Sequence, residues 1–411
     1  LVPVHDLVFR DGDIVLATHG RSFYIMDDIS TLEQMSDAVR ASDAHLFKPR
    51  DQYRLAGGGF GGGRGFRGGA ASQQVTPENA PIHPVGQNPP GGVVIQYWVK
   101  SAHPVVTLDI LDAAGKVVRS YTSNQDSATA ADSVKRAVAM KSKRDSLQAA
   151  GLSADSIRAL MRTAPDAAGG IAPSEEEEFR RTPPPPRAPN KTGVNTFAWN
   201  MRYADAASFP GMVLWAAGTT GPLVPPGTYR VQLTVNGKPV GTESFRLMLD
   251  PRIKATVADW QEQSRFSLQI RNRFSQANEA VKTIRDVKAA LKDREGKLTG
   301  APQTQFSALS AALSRALSTV EDSLYQTQNR TSEDPLNFPI RLNNEIGALM
   351  GVVASADGRP TQQSYEVFRI LSARLDGYIG QLNTLLNREL PKANAILKAS
   401  GQKEIEATVP K

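Results

Sequence analysis

The sequence predicts a multidomain α+β protein with a strand-rich first part and a helical last part. Between residues 91 and 250, apolar and polar residues alternate at period two, whereas from 256 to 399 apolar residues recur every three or four positions. The length of 411 residues fits two or three domains. The specific prediction is an immunoglobulin-like β-sandwich with a long insertion over 91–250, followed by an antiparallel four-helix bundle over 256–399.

The composition excludes several classes of function. No run approaches the ~18 apolar residues of a membrane span. The 48 basic and 41 acidic residues are dispersed, which argues against a nucleic-acid-binding protein with a large positive face. The chain has no cysteine, so disulfides, thiol nucleophiles and cysteine-ligated metals are excluded. We predict no metal, no cofactor, no nucleic-acid partner and no membrane span.

Residues 1–30 are predicted to form three short strands, over 4–10, 14–18 and 22–27. Tight turns at Asp11-Gly12-Asp13 and His19-Gly20-Arg21 separate them. An isolated sheet of three short strands is marginally stable. We therefore expect these strands to complete a sheet whose remaining strands lie elsewhere.

Residues 31–90 are predicted to be a connector. It begins with a helical turn or two over 32–39 and an extended segment over 45–50. Nine of the thirteen residues over 57–69 are glycine, and this composition favours a flexible, disordered surface loop. An RNA contact of the RGG type is the alternative, but only Arg64 and Arg67 lie in the run.

The sandwich prediction depends on six or seven short strands between 93 and 249. Turn signals at Asp112 to Gly115 and at Asn236-Gly237 define hairpins, the second of type I′. Residues 122–192 interrupt the pattern with runs of serine, alanine, glutamate and proline. We predict that this insertion is largely disordered, because it contains few core-forming residues.

The bundle prediction depends on four amphipathic stripes separated by breaks at 296–302, 329–335 and 357–360. Thr256 and Asp259 resemble a capping box at the start of the first helix. Pro391 is expected to start a short fifth helix, and residues 400–411 form a tail. A di-metal site of the bundle type is excluded here because no histidine follows His103.

The densest polar cluster lies in the first strands and comprises His5, Asp6, His19, Arg21, Asp27 and Asp28. Histidine and aspartate could act as metal ligands or as an acid–base pair, and Arg21 could bind a carboxylate. The spacing matches no metal motif, and turn formation and strand-end capping are the simpler interpretation. Trp215 lies in an apolar connection over 209–215, either as core cover or as a ligand platform. The predicted binding residues are His19, Arg21, Asp27, Asp28 and Trp215, and no catalytic residue is predicted.

Several segments together resemble the bacterial sortilin-like (VPS10-type) β-propeller proteins of the BNR-repeat class, which are often labelled glycosyl hydrolases. The segments are 2–7, 14–29, 45–49, 195–202, 334–344 and 358–361. The resemblance implies that residues 1–30 are the last strands of a propeller blade, with the propeller upstream in the same parent chain. It also implies export to the periplasm or the cell exterior. The Asp-box pattern Ser-x-Asp-x-Gly-x-Thr-Trp does not occur, and the arginine cluster and tyrosine nucleophile of sialidases cannot be assigned to positions here.

These observations predict a non-catalytic C-terminal accessory region of an exported propeller protein, which binds or positions a protein or glycan partner. The alternative is the scaffold part of a BNR-repeat glycoside hydrolase whose active site lies mainly in the propeller. Activity confined to the full-length parent would favour the alternative.

Overall fold

The computed structural model describes residues 2–55, 90–124 and 186–410. The predictions for the glycine-rich loop 57–69 and for most of the insertion 122–192 fall outside these residues. The mixed α+β class is confirmed. The chain divides into two compact units: Leu1–Arg50, Val94–Ala198 and Tyr229–Phe245 form the first, and Asp51–Val93, Trp199–Thr228 and Arg246–Lys411 the second.

The first unit begins with the three-stranded antiparallel sheet that the sequence predicts. Its strands are β1 (Val4–Arg10), β2 (Asp13–Thr18) and β3 (Phe23–Met26), in the order β1-β2-β3. Asp11 and Gly12, between β1 and β2, both have positive φ, at 50° and 81°. A two-residue type I′ turn requires this conformation, so the hairpin follows directly from the local sequence.

The predicted connector contributes two short strands. After α1 (Ser30–Gln34) and α2 (Asp37–Ala41), β4 (Ala44–Leu46) pairs antiparallel with β6 (Val93–Val99). In the second unit, β5 (Gln52–Arg54) pairs in parallel with Leu247 to Leu249, the last residues of β11 (Lys238–Leu249). Strands of three residues are too short for hydrophobic period to reveal them. Burial of Leu46 and Phe47 shows that this segment belongs to a folded core.

The remaining strands lie mainly in the first unit, and most of them alternate buried and partly exposed residues, as predicted. They are β6 (Val93–Val99), β7 (Val106–Leu111), β8 (Val117–Thr122), β9 (Gly193–Trp199), β10 (Gly227–Val235) and β11 (Lys238–Leu249). One sheet has the order β4-β6-β9, and the other places β11, β10, β7 and β8 side by side. The ring centroids of the buried residues Tyr121 on β8 and Phe197 on β9 are 4.5 Å apart, so the two sheets are in contact at these side chains.

The second unit contains the helical region. Its helices are α3 (Val257–Glu295), α4 (Gly300–Leu324), α5 (Leu342–Val353), α6 (Gln362–Thr384) and α7 (Leu390–Ala399), with a short 3-10 turn at Asp334–Leu336. Thr256 and Asp259 form the predicted capping box. α3 packs against α4, α5 and α6. None of the helices in the described residues has both the length and the apolar composition needed to cross a membrane.

Pro391 lies within a continuous helical segment. A π-helical turn, Leu385–Glu389, connects α6 to α7, which begins at Leu390. A proline ring clashes with the carbonyl four residues earlier in an α-helix and offers no N–H for it. The wider π turn accommodates Pro391 because it changes the hydrogen-bond spacing at that position.

The C-terminal residues pack on the helices. Ile405 is buried, and the Asn394 amide holds its backbone: Nδ2 donates to the Ile405 carbonyl at 3.0 Å, and Oδ1 accepts from its N–H at 2.8 Å. Residues predicted only as a tail therefore contribute to the core of the second unit.

The pairing of Tyr365 with Glu262 predicts a loss of stability at alkaline pH. The Tyr365 hydroxyl donates to Glu262 Oε1, and burial followed by this hydrogen bond raises the pKa of Tyr365 to about 12. The unfolded chain releases this proton near pH 10, so the stabilisation is complete below pH 10 and is lost as the pH rises through about 12. Tyr365→Phe should reduce the decline in unfolding free energy between these pH values, measured by urea titration. Tyr53→Phe is the matched control, because Tyr53 is exposed, and it should leave the decline unchanged.

Candidate interaction surface

The β1–β3 sheet carries apolar side chains on both faces. Directly opposed residues of adjacent strands share a face. The strand register therefore creates two apolar rows on one face, namely Phe9, Ile14 and Met26, and then Leu7, Leu16 and Tyr24.

The opposite face has the same apolar character. One of its rows is Val8, Val15 and Ile25, and the next is Asp6, Ala17 and Phe23. An antiparallel sheet with one solvated face alternates apolar and polar residues, whereas strands buried on both faces are apolar throughout. The composition of β1–β3 is that of a sheet covered on both sides.

The structure leaves the side chains of the two outer strands exposed, whereas those of β2 are half-buried. Phe9, Phe23 and Ile25 expose 63%, 68% and 62% of their surface, and every residue of β1 and β3 is exposed. Contiguous exposed apolar patches of this kind mark protein-interaction sites in soluble proteins. The sheet is therefore the strongest candidate interaction surface among the described residues.

The sequence-predicted polar residues separate into different environments. His19 follows β2, and its ring centroid lies 5.1 Å from that of His5. Arg21 and Asp27 are exposed. Within the predicted cluster, His19 is therefore a neighbour of His5, whereas Asp28 makes its contacts at another place in the sheet.

Asp28, Asp13 and Arg50 form a hydrogen-bonded cluster at one end of the sheet. The N–H of Asp28 donates to Asp13 Oδ1 at 2.9 Å, and Arg50 Nη1 donates to the same oxygen at 2.8 Å. These two hydrogen bonds, the one from Asp28 first, lower the pKa of Asp13. Asp28 also accepts from the N–H of Ser30, at the start of α1. The turn and capping interpretation of Asp28 agrees with these contacts.

Sequence reasoning missed Arg50. Its Nη2 donates to the carbonyl of Asp11, so one guanidinium connects the β1–β2 turn to the segment that follows β4. The pairing of Arg50 with Asp13 joins residues 37 positions apart. The only signal in the sequence is that Arg50 directly follows 45–49, a segment that carries the family resemblance.

Trp215 lies in the second unit, on a loop that buried amides hold in place. Its N–H donates to Asn344 Oδ1 and its carbonyl accepts from Asn344 Nδ2, both at 2.7 Å. Asn278 donates to the carbonyl of Ala207 at 2.7 Å and accepts from Asn343 at 3.0 Å. Trp215 is 40% exposed, so part of the residue is covered and part faces solvent. Sequence reasoning missed these asparagines, although Asn343 and Asn344 lie in a segment of the resemblance.

Asn344→Leu is expected to lower the unfolding free energy by about 2–4 kcal/mol, because it leaves two backbone groups of Trp215 without their partner. The Trp215 amide should also exchange its hydrogen faster. Asn383→Leu is the control, because Asn383 is exposed on α6, and it should change stability by less than about 0.5 kcal/mol. Equal costs in urea titrations of both variants would contradict the anchoring role of Asn344.

Comparison with known proteins assigns no family. No model of a known protein family, no curated protein and no solved structure matches the chain.

Proposed function

We propose that the chain is a non-catalytic accessory region of a sortilin-like β-propeller protein, and that β1–β3 are three strands of one propeller blade. The observation that carries this proposal is the sheet with mainly apolar residues on both faces, whose two outer strands are exposed. The proposal includes export to the periplasm or the cell exterior, which rests on the family resemblance.

A propeller blade accounts for both faces of the sheet. Blades are four-stranded sheets arranged radially around a channel. Each blade packs between two neighbours, so its strands are apolar on both sides. A sandwich sheet would need apolar residues on one face only. Three strands here supply most of a blade, and the edge strands β1 and β3 leave room for a fourth.

The partner in this proposal is the propeller of the same parent chain. It would supply the remaining strand and the two neighbouring blades. The segments 2–7 and 14–29, which carry the family resemblance, are in this sheet. We further propose that the other strands of the first unit form an immunoglobulin-like sandwich, and that the helices of the second unit form an antiparallel bundle.

A non-catalytic role agrees with the contacts of the candidate residues. Asp13 accepts hydrogen bonds from Asp28 and from Arg50 at the end of the sheet. Asn344 is engaged with the backbone of Trp215. These polar groups position the backbone, and the exposed residues of β1 and β3 are apolar except for His5, Asp6 and Arg10.

The substitution Ile25→Lys distinguishes a sheet whose faces are exposed from a sheet that is packed between propeller blades. In the 411-residue chain the Ile25 side chain is exposed, so the substitution should change the unfolding free energy by less than about 0.5 kcal/mol. In a longer gene product that includes the propeller, Ile25 would be buried between blades, and the same substitution should cost more than about 2 kcal/mol. Leu336→Lys is the control, because Leu336 is exposed in the second unit, and it should have little effect in both proteins.

Hydrogen exchange provides a second readout that does not depend on a substitution. Backbone amides of β1 and β3 should exchange faster in the 411-residue chain than in the longer product. Equal exchange in the two proteins, with equal effects of Ile25→Lys, would overturn the proposal. A gene that encodes no further strands would also overturn it.

A further inference from the structure

We propose that His5 and His19 form an open two-imidazole site for a divalent transition-metal ion, with Cu²⁺ bound more tightly than Zn²⁺. The two ring centroids are 5.1 Å apart and the ring planes are inclined by 41°. Two imidazoles that bind one tetrahedral ion through nitrogens about 2.0 Å from it have ring centroids about 5 Å apart. The observed separation therefore fits shared coordination of one ion.

A β-bulge places His5 beside His19. Val4 pairs with Thr18 and Asp6 pairs with Ala17, so His5 is the extra residue on β1. A bulge of this kind redirects a side chain. The backbone at His19 is held as well, because its N–H donates to the carbonyl of Pro3 at 3.0 Å. The backbone that carries both imidazoles is therefore held in place by strand pairing and by this hydrogen bond.

The pair is open to solvent, and its neighbours leave room for other ligands. His5 and His19 are both exposed. The nearby Asp6 accepts a hydrogen bond from the N–H of Leu7 at 2.8 Å. Among the described residues, no group of three or more histidines, aspartates and glutamates is placed to hold a metal. The protein therefore supplies two ligands, and water or an incoming donor takes the other positions.

The chemistry of the ligands defines the class of ion. Imidazole nitrogen suits Zn²⁺, Cu²⁺ and Ni²⁺, whereas Ca²⁺ and Mg²⁺ prefer oxygen. For a given set of nitrogen ligands, Cu²⁺ binds more tightly than Ni²⁺ or Zn²⁺.

The test uses the 411-residue chain without an affinity tag, titrated with Cu²⁺ by calorimetry. One Cu²⁺ should bind per chain with high affinity, and His5→Ala or His19→Ala should weaken it by about 100-fold because the chelate is lost. The double variant keeps neither imidazole, so it should bind Cu²⁺ more weakly than either single variant. Titrations with Zn²⁺ should show weaker binding, and titrations with Mg²⁺ should show none.

Electron paramagnetic resonance of the Cu²⁺ complex gives a readout that needs no variant. Hyperfine coupling from two imidazole nitrogens is expected in the unmodified protein, and from one in each single variant. His103→Asn is the matched control: His103 is exposed and has a φ of 54°, which asparagine tolerates. It should leave the affinity unchanged.

Two results would overturn the proposal. One is an unchanged affinity in His5→Ala and His19→Ala, with far-ultraviolet circular dichroism showing that both are folded. The other is a loss in His103→Asn as large as theirs. The site does not depend on the proposed propeller, because the test involves only the 411-residue chain, so the two proposals can fail separately.

Discussion

Replacing Arg54 by alanine is expected to lower the unfolding free energy of the second unit by about 3–5 kcal/mol. Arg54 is 3% exposed, at the end of β5. Its Nε donates to the carbonyl of Val224 at 2.7 Å, and its guanidinium carbon lies 3.5 Å from the ring centroid of Trp260. Its Nη1 lies 3.7 Å from Asp357 Oδ1. Removal of the side chain leaves a cavity against Trp260 and takes a cation away from Asp357.

The loss of unfolding free energy caused by Arg54→Ala should depend on pH. Burial raises the pKa of Asp357, the charge of Arg54 opposes this shift, and Asp250 adds to it. Without Arg54 the pKa of Asp357 should rise further. A carboxyl with a raised pKa favours folding at acid pH, and this contribution is lost as the pH rises through the folded-state pKa. The cost of the substitution should therefore be smaller at acid pH than at pH 7.

Arg246→Ala is the matched control for Arg54→Ala. Arg246 lies on β11, the strand that pairs with β5, and its Nη2 is 2.7 Å from Asp51 Oδ2. Its side chain is 67% exposed, so loss of this ion pair should cost less than about 1 kcal/mol. Urea unfolding followed by the helical circular dichroism signal measures both variants. Equal costs would show that Arg54 does not anchor this end of the sheet.

Phe274→Ala is expected to cost about 3–5 kcal/mol through the cavity that it creates. Phe274 is fully buried on α3, where α5 comes close at Gly347. A Cβ built on Gly347 would lie 3.2 Å from Phe274 Cζ and 3.1 Å from Ala217 Cβ. The ring therefore fills the contact between α3 and α5, and the segment that carries Trp215 packs beside it.

Val352→Ala controls for apolar truncation on the same pair of helices. Val352 is on α5 and is 60% exposed, so its truncation should cost less than about 0.5 kcal/mol. Urea unfolding at neutral pH compares the two variants directly. A cost for Phe274→Ala as small as that for Val352→Ala would mean that the core closes over the missing ring.

The sequence predicted the elements whose signals are local. Asn236-Gly237 predicted a type I′ hairpin, and both residues have positive φ between β10 and β11. Thr256 and Asp259 marked the first residue of α3. The three strands of residues 4–26 were also predicted, and their apolar residues are visible in the sequence. Turns and caps depend on residues within a few positions, so the sequence contains the whole signal.

The tertiary structure alone decided which side chains meet. Arg54 contacts the carbonyl of Val224 across 170 positions, and Asn344 binds the backbone of Trp215 across 129. His5 lies beside His19 because of a single extra residue in β1. Contacts of this kind depend on which distant segments of the chain pack together, and hydrophobic period within one segment does not specify its partner. The sequence therefore determined where strands and helices form, and the packing of those elements decided which polar groups became anchors and which remained available to bind.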